Sequence, residues 1–168
     1  MQENPMPQRK HPRLAEYNYS LSGAYFITIC TQNRRCLLAT TVGRGLAPAE
    51  IRLTECGKIT ENQLRLLEKR FPCVRIGQYV IMPNHIHFIL ELTDETAGAS
   101  PRPTVMDVVC AFKSLTTHAC KEKYPVGRLF QTSFHDHIIR GREDYDEIAK
   151  YIYENPMRWY YDSLYTEE

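Results

Sequence analysis

Residues 79–90 read YVIMPNHIHFIL. The run is apolar enough for a strand buried on both faces, yet it carries two histidines two positions apart behind a Pro-Asn pair. Side chains alternate across a strand, so Ile86, Phe88, Leu90 and Leu92 point one way, and His85 and His87 point together to the other face. Same-face neighbours lie roughly 6.6–7 Å apart along a strand. Two imidazoles at that spacing can converge on one cation, and neutral imidazole is a common metal ligand. The pattern alone also fits two half-buried histidines bonded to their neighbours, because a motif this short matches by chance often.

Working outward, 74–84 is a strand ending at Pro83-Asn84, and 85–92 is the next. Residues 24–32, AYFITICTQ, are β-branched and aromatic and form an earlier strand. Residues 40–50, TTVGRGLAPAE, are rich in Gly, Ala and Pro and read as a loop. A helix follows, capped by Thr54, with Ile59, Leu64, Leu67 and Phe71 near helical spacing and Pro72 as its stop. Residues 93–104 are a loop. Residues 105–124 form a helix with Val105, Val108, Val109, Phe112, Leu115 and Ala119 on one broad face. Residues 129–140 form a fourth strand, and 142–156 a last helix ended by Pro156. The order β-α-β-β-α-β-α predicts an α+β, ferredoxin-like sandwich with an antiparallel sheet and an added C-terminal helix. Residues 1–16 are polar and Pro-rich and read as a flexible basic arm, leaving 17–168 as a single domain.

Composition narrows the function classes. The chain has 168 residues, 43% apolar and 24% charged, enough for one domain with a real core. It has no apolar run long enough to span a bilayer and no signal-peptide h-region, which predicts a cytoplasmic protein without a membrane partner. None of its six cysteines forms a C-x-x-C pair, which argues against a structural zinc site or a disulfide framework. Its net charge is +1, so a nucleic-acid surface must come from local clusters. Such clusters are Arg9, Lys10 and Arg13, then Arg34 and Arg35, then Lys113, Lys121 and Lys123, and last Arg140, Arg142 and Arg158.

In IAKYIYENP, Tyr151 and Asn155 are four apart and share a helix face. A Tyr hydroxyl can be a covalent nucleophile, but with a pKa of about 10 it stays protonated at neutral pH. It needs an activated electrophile, such as a phosphodiester polarised by a divalent cation. Two histidines and an amide would leave that cation's charge uncompensated by any protein carboxylate. Periodicity does not single out Tyr151: it and Tyr153 lie about equally far from the Tyr145/Ile148/Ile152 stripe, on opposite sides, in a chain of eleven tyrosines.

These residues resemble the HUH (His-hydrophobic-His) single-strand DNA transposases, and within them the REP-associated tyrosine transposases. The resemblance covers nearly the whole chain. It runs through KHPRLAEYNYSLSGAYFITICTQNRR, YVIMPNHIHFIL, AFKSLTT and FHDHIIRGREDYDEIAKYIYENP, in the family's order. It implies His85 and His87 as metal ligands and Tyr151 as the nucleophile. It implies Asn155 as an amide ligand where many relatives carry the longer Gln. It implies Mg²⁺ or Mn²⁺ as cofactor, and single-stranded or hairpin DNA as partner, contacted by Arg9, Lys10, Arg13, Lys113 and Ser114. The implied activity is a metal-dependent single-strand DNA endonuclease and strand transferase working through a 5′-phosphotyrosine intermediate. Three alternatives stand beside it: a domesticated hairpin-binding protein without transposition activity, a replication-initiation or relaxase-type nickase, and a binding domain whose histidines are structural. The resemblance leaves monomer and homodimer both open.

Overall fold

The structure is a computed structural model, which describes residues 17–42, 50–95 and 102–166. Its main sheet holds β1 (Gly23–Cys30), β4 (Val74–Ile81), β5 (His85–Leu92) and β6 (His135–Ile139) in the order β4-β5-β1-β6. All neighbours are antiparallel, giving the ferredoxin-like arrangement that the order of elements predicts. β5 is central, which explains its nearly unbroken apolar run: every residue but Glu91 is buried.

Alternation along the two central strands divides the core. Ile27, Ile29, Ile86, Phe88 and Leu90 face the helical layer, where they meet Leu64 of α1 (Glu55–Arg65) and Val108, Val109 and Phe112 of α3 (Val105–Lys121). Both helices start on threonine caps. Thr54 accepts from the Gly57 amide, and Thr104 exchanges bonds with Asp107 in a capping box. On the opposite face, Ile89 and Ile139 form a smaller cluster with Ile152 of α4 (Gly141–Glu154), against Phe26, Val80 and Ile148. α4 approaches closely where β4 carries Gly77. A Cβ there would stand 2.7 Å from the Tyr145 hydroxyl, which instead donates to Glu91.

The structure corrects four sequence expectations. Residues 40–50 are not all loop: Ala39–Val42 and Glu50–Leu53 pair as the β2–β3 hairpin. The Gly/Ala/Pro composition of the stretch between them hid two short β-branched segments. The first helix breaks at Leu66, so α1 is followed by a separate turn, α2 (Leu67–Arg70). β6 begins at His135, not at residue 129, although Phe130 makes an isolated bridge to Thr31. The chain also does not stop coiling at Pro156. α4 ends at Glu154 and a 3-10 helix, Asn155–Tyr161, continues directly. Proline is tolerated in the first turn because its missing N–H has no helical partner there.

No described helix is long and apolar enough to cross a membrane. Cys56, Cys73 and Cys120 are buried, Cys30 and Cys36 half-buried and Cys110 exposed, and all six are free.

Candidate metal centre and tyrosine site

The β1–β5 register sets Thr28 opposite His87 and Cys30 opposite His85, on the face covered by α4 and the segment after it. The two imidazoles meet edge to face with centroids 4.5 Å apart, and both are buried, at 0% and 3% exposure. Each is held through Nδ1. The Asn84 Oδ1 sits 2.8 Å from Nδ1 of His85, and the Thr28 hydroxyl 2.9 Å from Nδ1 of His87. A carbonyl oxygen only accepts, so Nδ1 of His85 carries the proton and its Nε2 keeps a lone pair. Asn84 is itself oriented, since its amide nitrogen donates to Leu164 O and to Thr166 Oγ1. The Pro-Asn lead-in thus does more than turn the chain: its asparagine sets the tautomer of the first histidine and ties down the C-terminal segment.

Burial pushes both imidazoles down to about 3, with help at His85 from the Arg34 charge and at His87 from His85. Both are neutral at physiological pH, the form that binds metal. Their Nε2 atoms are nevertheless buried without a hydrogen-bond partner, and so is Oδ1 of Asn155. Orphaned buried acceptors are rare and destabilising in native proteins. Three unpartnered polar atoms here, with the lone pair of His85 Nε2 among them, fit the donors a cation would need. Asn155 stands at the C-terminal end of α4, 2% exposed, and donates from Nδ2 to Asp162 at 3.1 Å.

Asp162 is the residue that sequence reasoning missed. Its carboxylate and the ring nitrogens of His85 and His87 lie within 4.8 Å of one another. Asp162 Oδ2 is 3.9 Å from Nε2 of His85, with its side chain 5% exposed, while Oδ1 accepts from the Leu164 amide. At that distance from a neutral ring the pair is a gap of ion size rather than an ion pair. A buried carboxylate beside two neutral imidazoles corrects the expectation of an uncompensated cation. No pattern in the sequence signals it, since it follows the 3-10 helix in a segment without periodicity. Thr28, by contrast, was findable once the register of the two central strands was known.

Tyr151 leans over this cluster from α4. Its ring is 5.4 Å from His87 and 6.0 Å from Phe26, and it remains 41% exposed. Tyr153 is 71% exposed, on the far side of the helix. Burial raises the Tyr151 pKa and the Asp162 charge raises it further, while the Asn155 amide opposes them. The phenol is therefore protonated at neutral pH in the absence of a cation. Trp159 closes the back of the site, 1% exposed and 5.8 Å from the His85 ring.

Of the residues expected at DNA, Lys113 and Ser114 lie on α3, across the sheet from Tyr151, and border an open groove with Lys121 and Arg128. Lys113 donates to Thr132 O at 2.8 Å. Arg9, Lys10 and Arg13 lie outside the described residues.

No protein-family model matches the chain. It is 31% identical over 174 residues to an uncharacterised protein of Haemophilus influenzae, covering 95% of this chain and 94% of that one. It is 30% identical over 147 residues to the REP-associated tyrosine transposase of Escherichia coli K12, covering 86% of this chain and 74% of the relative. Among solved structures, it superposes on a REP-associated tyrosine transposase bound to a REP hairpin with a TM-score of 0.59 at 26% identity, covering 86% of this chain and 74% of that one. A Deinococcus radiodurans structure shares the fold alone, with a TM-score of 0.51 at 17% identity over 84% of this chain and 95% of its own.

Proposed function

The chain belongs to the REP-associated tyrosine transposases, and from that premise we propose that it is a metal-dependent single-strand DNA endonuclease and strand transferase. The observation that carries this reading is the burial of three unpartnered polar atoms, Nε2 of His85, Nε2 of His87 and Oδ1 of Asn155, with the Tyr151 ring 5.4 Å from His87. A scaffold that needed its histidines only for packing would have no reason to bury their acceptors unpaired.

In this reading, His85, His87 and Asn155 hold a divalent cation, Mg²⁺ or Mn²⁺. Two imidazole nitrogens among the donors fit manganese better than magnesium, which prefers all-oxygen shells. A cation held there would supply electrostatic stabilisation of the charge on the scissile phosphate. Asn84 and Thr28 fix the ring orientations, and Trp159 keeps water from the back of the cluster. Tyr151 attacks phosphorus through Oη, and its proton offsets the one taken up by the departing 3′ oxygen. The bond from phosphorus to the 3′ oxygen breaks, and that oxygen leaves as a 3′-OH. The product is a 5′-phosphotyrosine link that another 3′-OH can reverse, without ATP, because the ester bond is conserved. Catalysis rests on positioning and charge neutralisation rather than on a strong base. The family relation directs this chemistry to hairpin-associated single-stranded DNA.

The test is a calorimetric Mn²⁺ titration of the native protein beside His87→Ala. The reading expects saturable binding by the native protein and none by the variant, with unchanged circular dichroism. Absence of binding to the native protein, or undiminished binding by the variant, overturns it.

A further inference from the structure

Glu91 stands apart on β5. It is the strand's only carboxylate and its one residue that is not buried, and it shares the face of His85, His87 and Ile89 that α4 covers. Its Oε1 accepts from the Tyr145 hydroxyl of α4 at 2.7 Å. Gly77 makes the contact possible. The β4–β5 register shifts between Ile76 and Tyr79, and a Cβ on Gly77 would stand 2.7 Å from the Tyr145 hydroxyl and 3.3 Å from Glu91 Oε1. A glycine at an irregular point of a strand commonly marks such a close approach. Burial and the Glu91 hydrogen bond push the Tyr145 phenol up to about 12, so it remains a donor at neutral pH.

Contacts follow one order along both elements. Tyr145 meets Glu91, Ile148 and Ile152 pack with Ile89, and Tyr151 meets His87. The hydrogen bond lies about 13 Å along the strand from His87 and about 9 Å along the helix from Tyr151. It is outside the metal cluster but on the same rigid helix as the tyrosine. The isoleucine packing between them is non-directional and tolerates sliding. A hydrogen bond from helix to strand is directional and does not. A slip of one residue would move α4 by about 1.5 Å and turn it by about 100°. Misplacement of about 1 Å can cost a reaction on the order of 10²-fold. Resting on the reading of Tyr151 as nucleophile, we propose that Glu91 and Tyr145 are positioning residues for the strand-cleavage step. Their hydrogen bond, seated on Gly77, fixes where α4 lies along β5 and so where the Tyr151 hydroxyl stands against His87. Both act through the helix and touch no reacting atom.

The test is single-turnover adduct formation on labelled hairpin DNA from the flanks of the chain's own gene, at saturating Mn²⁺ and DNA. The native protein is compared with Tyr145→Phe, Glu91→Gln, Glu91→Ala and the Tyr145→Phe/Glu91→Ala double variant. The rate constant reads the placement of Tyr151, and the amplitude reads the fraction of folded, competent protein. The proposal expects Tyr145→Phe and Glu91→Ala to lower the rate constant about tenfold or more at native amplitude, with hairpin and Mn²⁺ affinities within about twofold of native. Glu91→Gln, whose amide oxygen still accepts, keeps the native rate. The double variant is no slower than either single one, because both break the same bond. A native rate constant in Tyr145→Phe, with only the amplitude or the thermal midpoint lowered, overturns the positioning role and leaves the nuclease reading standing. So do losses that multiply in the double variant, or a Glu91→Gln variant as slow as Glu91→Ala. No adduct from the native protein, with metal and hairpin both bound, overturns the nuclease reading and the positioning role with it.

Discussion

At the residue scale, the site is a problem of tautomers. Asn84 accepts from Nδ1 of His85 and so aims a lone pair at the cluster. Such outer partners are commonly worth 10–100-fold in metal affinity. Asn84→Ala should therefore weaken Mn²⁺ binding by about that factor while His85 and His87 remain, as calorimetry would show; native affinity would mean that the ring needs no guide. The same burial makes a pH prediction. The imidazoles titrate near their ordinary value of 6.5 in the unfolded chain and only near 3 in the fold. Below 6.5 the unfolded state binds more protons, so this part of the stability is whole above pH 6.5 and is lost as pH falls toward 3. The urea midpoint of the metal-free protein should fall across that window, and more steeply than that of the His85→Gln/His87→Gln double variant. Equal slopes would refute the linkage. The histidine pair was legible in the sequence because strand alternation is a two-residue rule. Asp162 was not, because what brings it to His85 is the path of a whole 3-10 helix.

At the scale of elements, legibility follows periodicity. β5 was read to its limits, 85–92, because a buried central strand writes its period along its whole length. The helices were found, with their ends off by a few residues, because Thr54 caps the first by a local rule and the second shows a broad apolar face. The β2–β3 hairpin was lost because each strand has four residues, too few to show alternation. Its neighbourhood is tightly built all the same. Gly57 on α1 faces the backbone of Leu38, where an added Cβ would come within 1.9 Å of the carbonyl oxygen. Backbone cannot swing aside as a side-chain tip can. Gly57→Ala should destabilise the protein by about 1–3 kcal/mol, the usual range for overpacking, despite alanine's better helix propensity. A thermal melt at or above the native midpoint would show that α1 can slide away from the hairpin. Among the tyrosines, helical periodicity left Tyr151 and Tyr153 equal and only the family resemblance chose Tyr151; the structure separates them by placing one against His87 and the other in solvent.

At the scale of the whole molecule, a net charge of +1 denies the chain a general attraction for nucleic acid. Affinity for DNA must be concentrated, and the α3 groove with Lys113, Lys121 and Arg128 is such a concentration. Arg128→Ser should weaken hairpin binding to a similar extent across sequences and lower the slope of log K against log salt by about 1. A slope left unchanged would remove the groove from the binding surface. The α+β architecture serves the chemistry by its two faces. Helices α1 and α3 make one face a core, which frees the other to carry the buried cluster of His85, His87 and Asp162 beside α4. The central claim is that Tyr151 is the nucleophile of that site. Its most direct measurement is a denaturing gel of labelled hairpin DNA incubated with Mn²⁺ and the native protein, Tyr151→Phe or Tyr153→Phe. The account predicts label held covalently by the native protein and by Tyr153→Phe, and none by Tyr151→Phe. Label on Tyr151→Phe, or none on any of the three while hairpin and metal both bind, would contradict it and leave a DNA-binding protein without the chemistry.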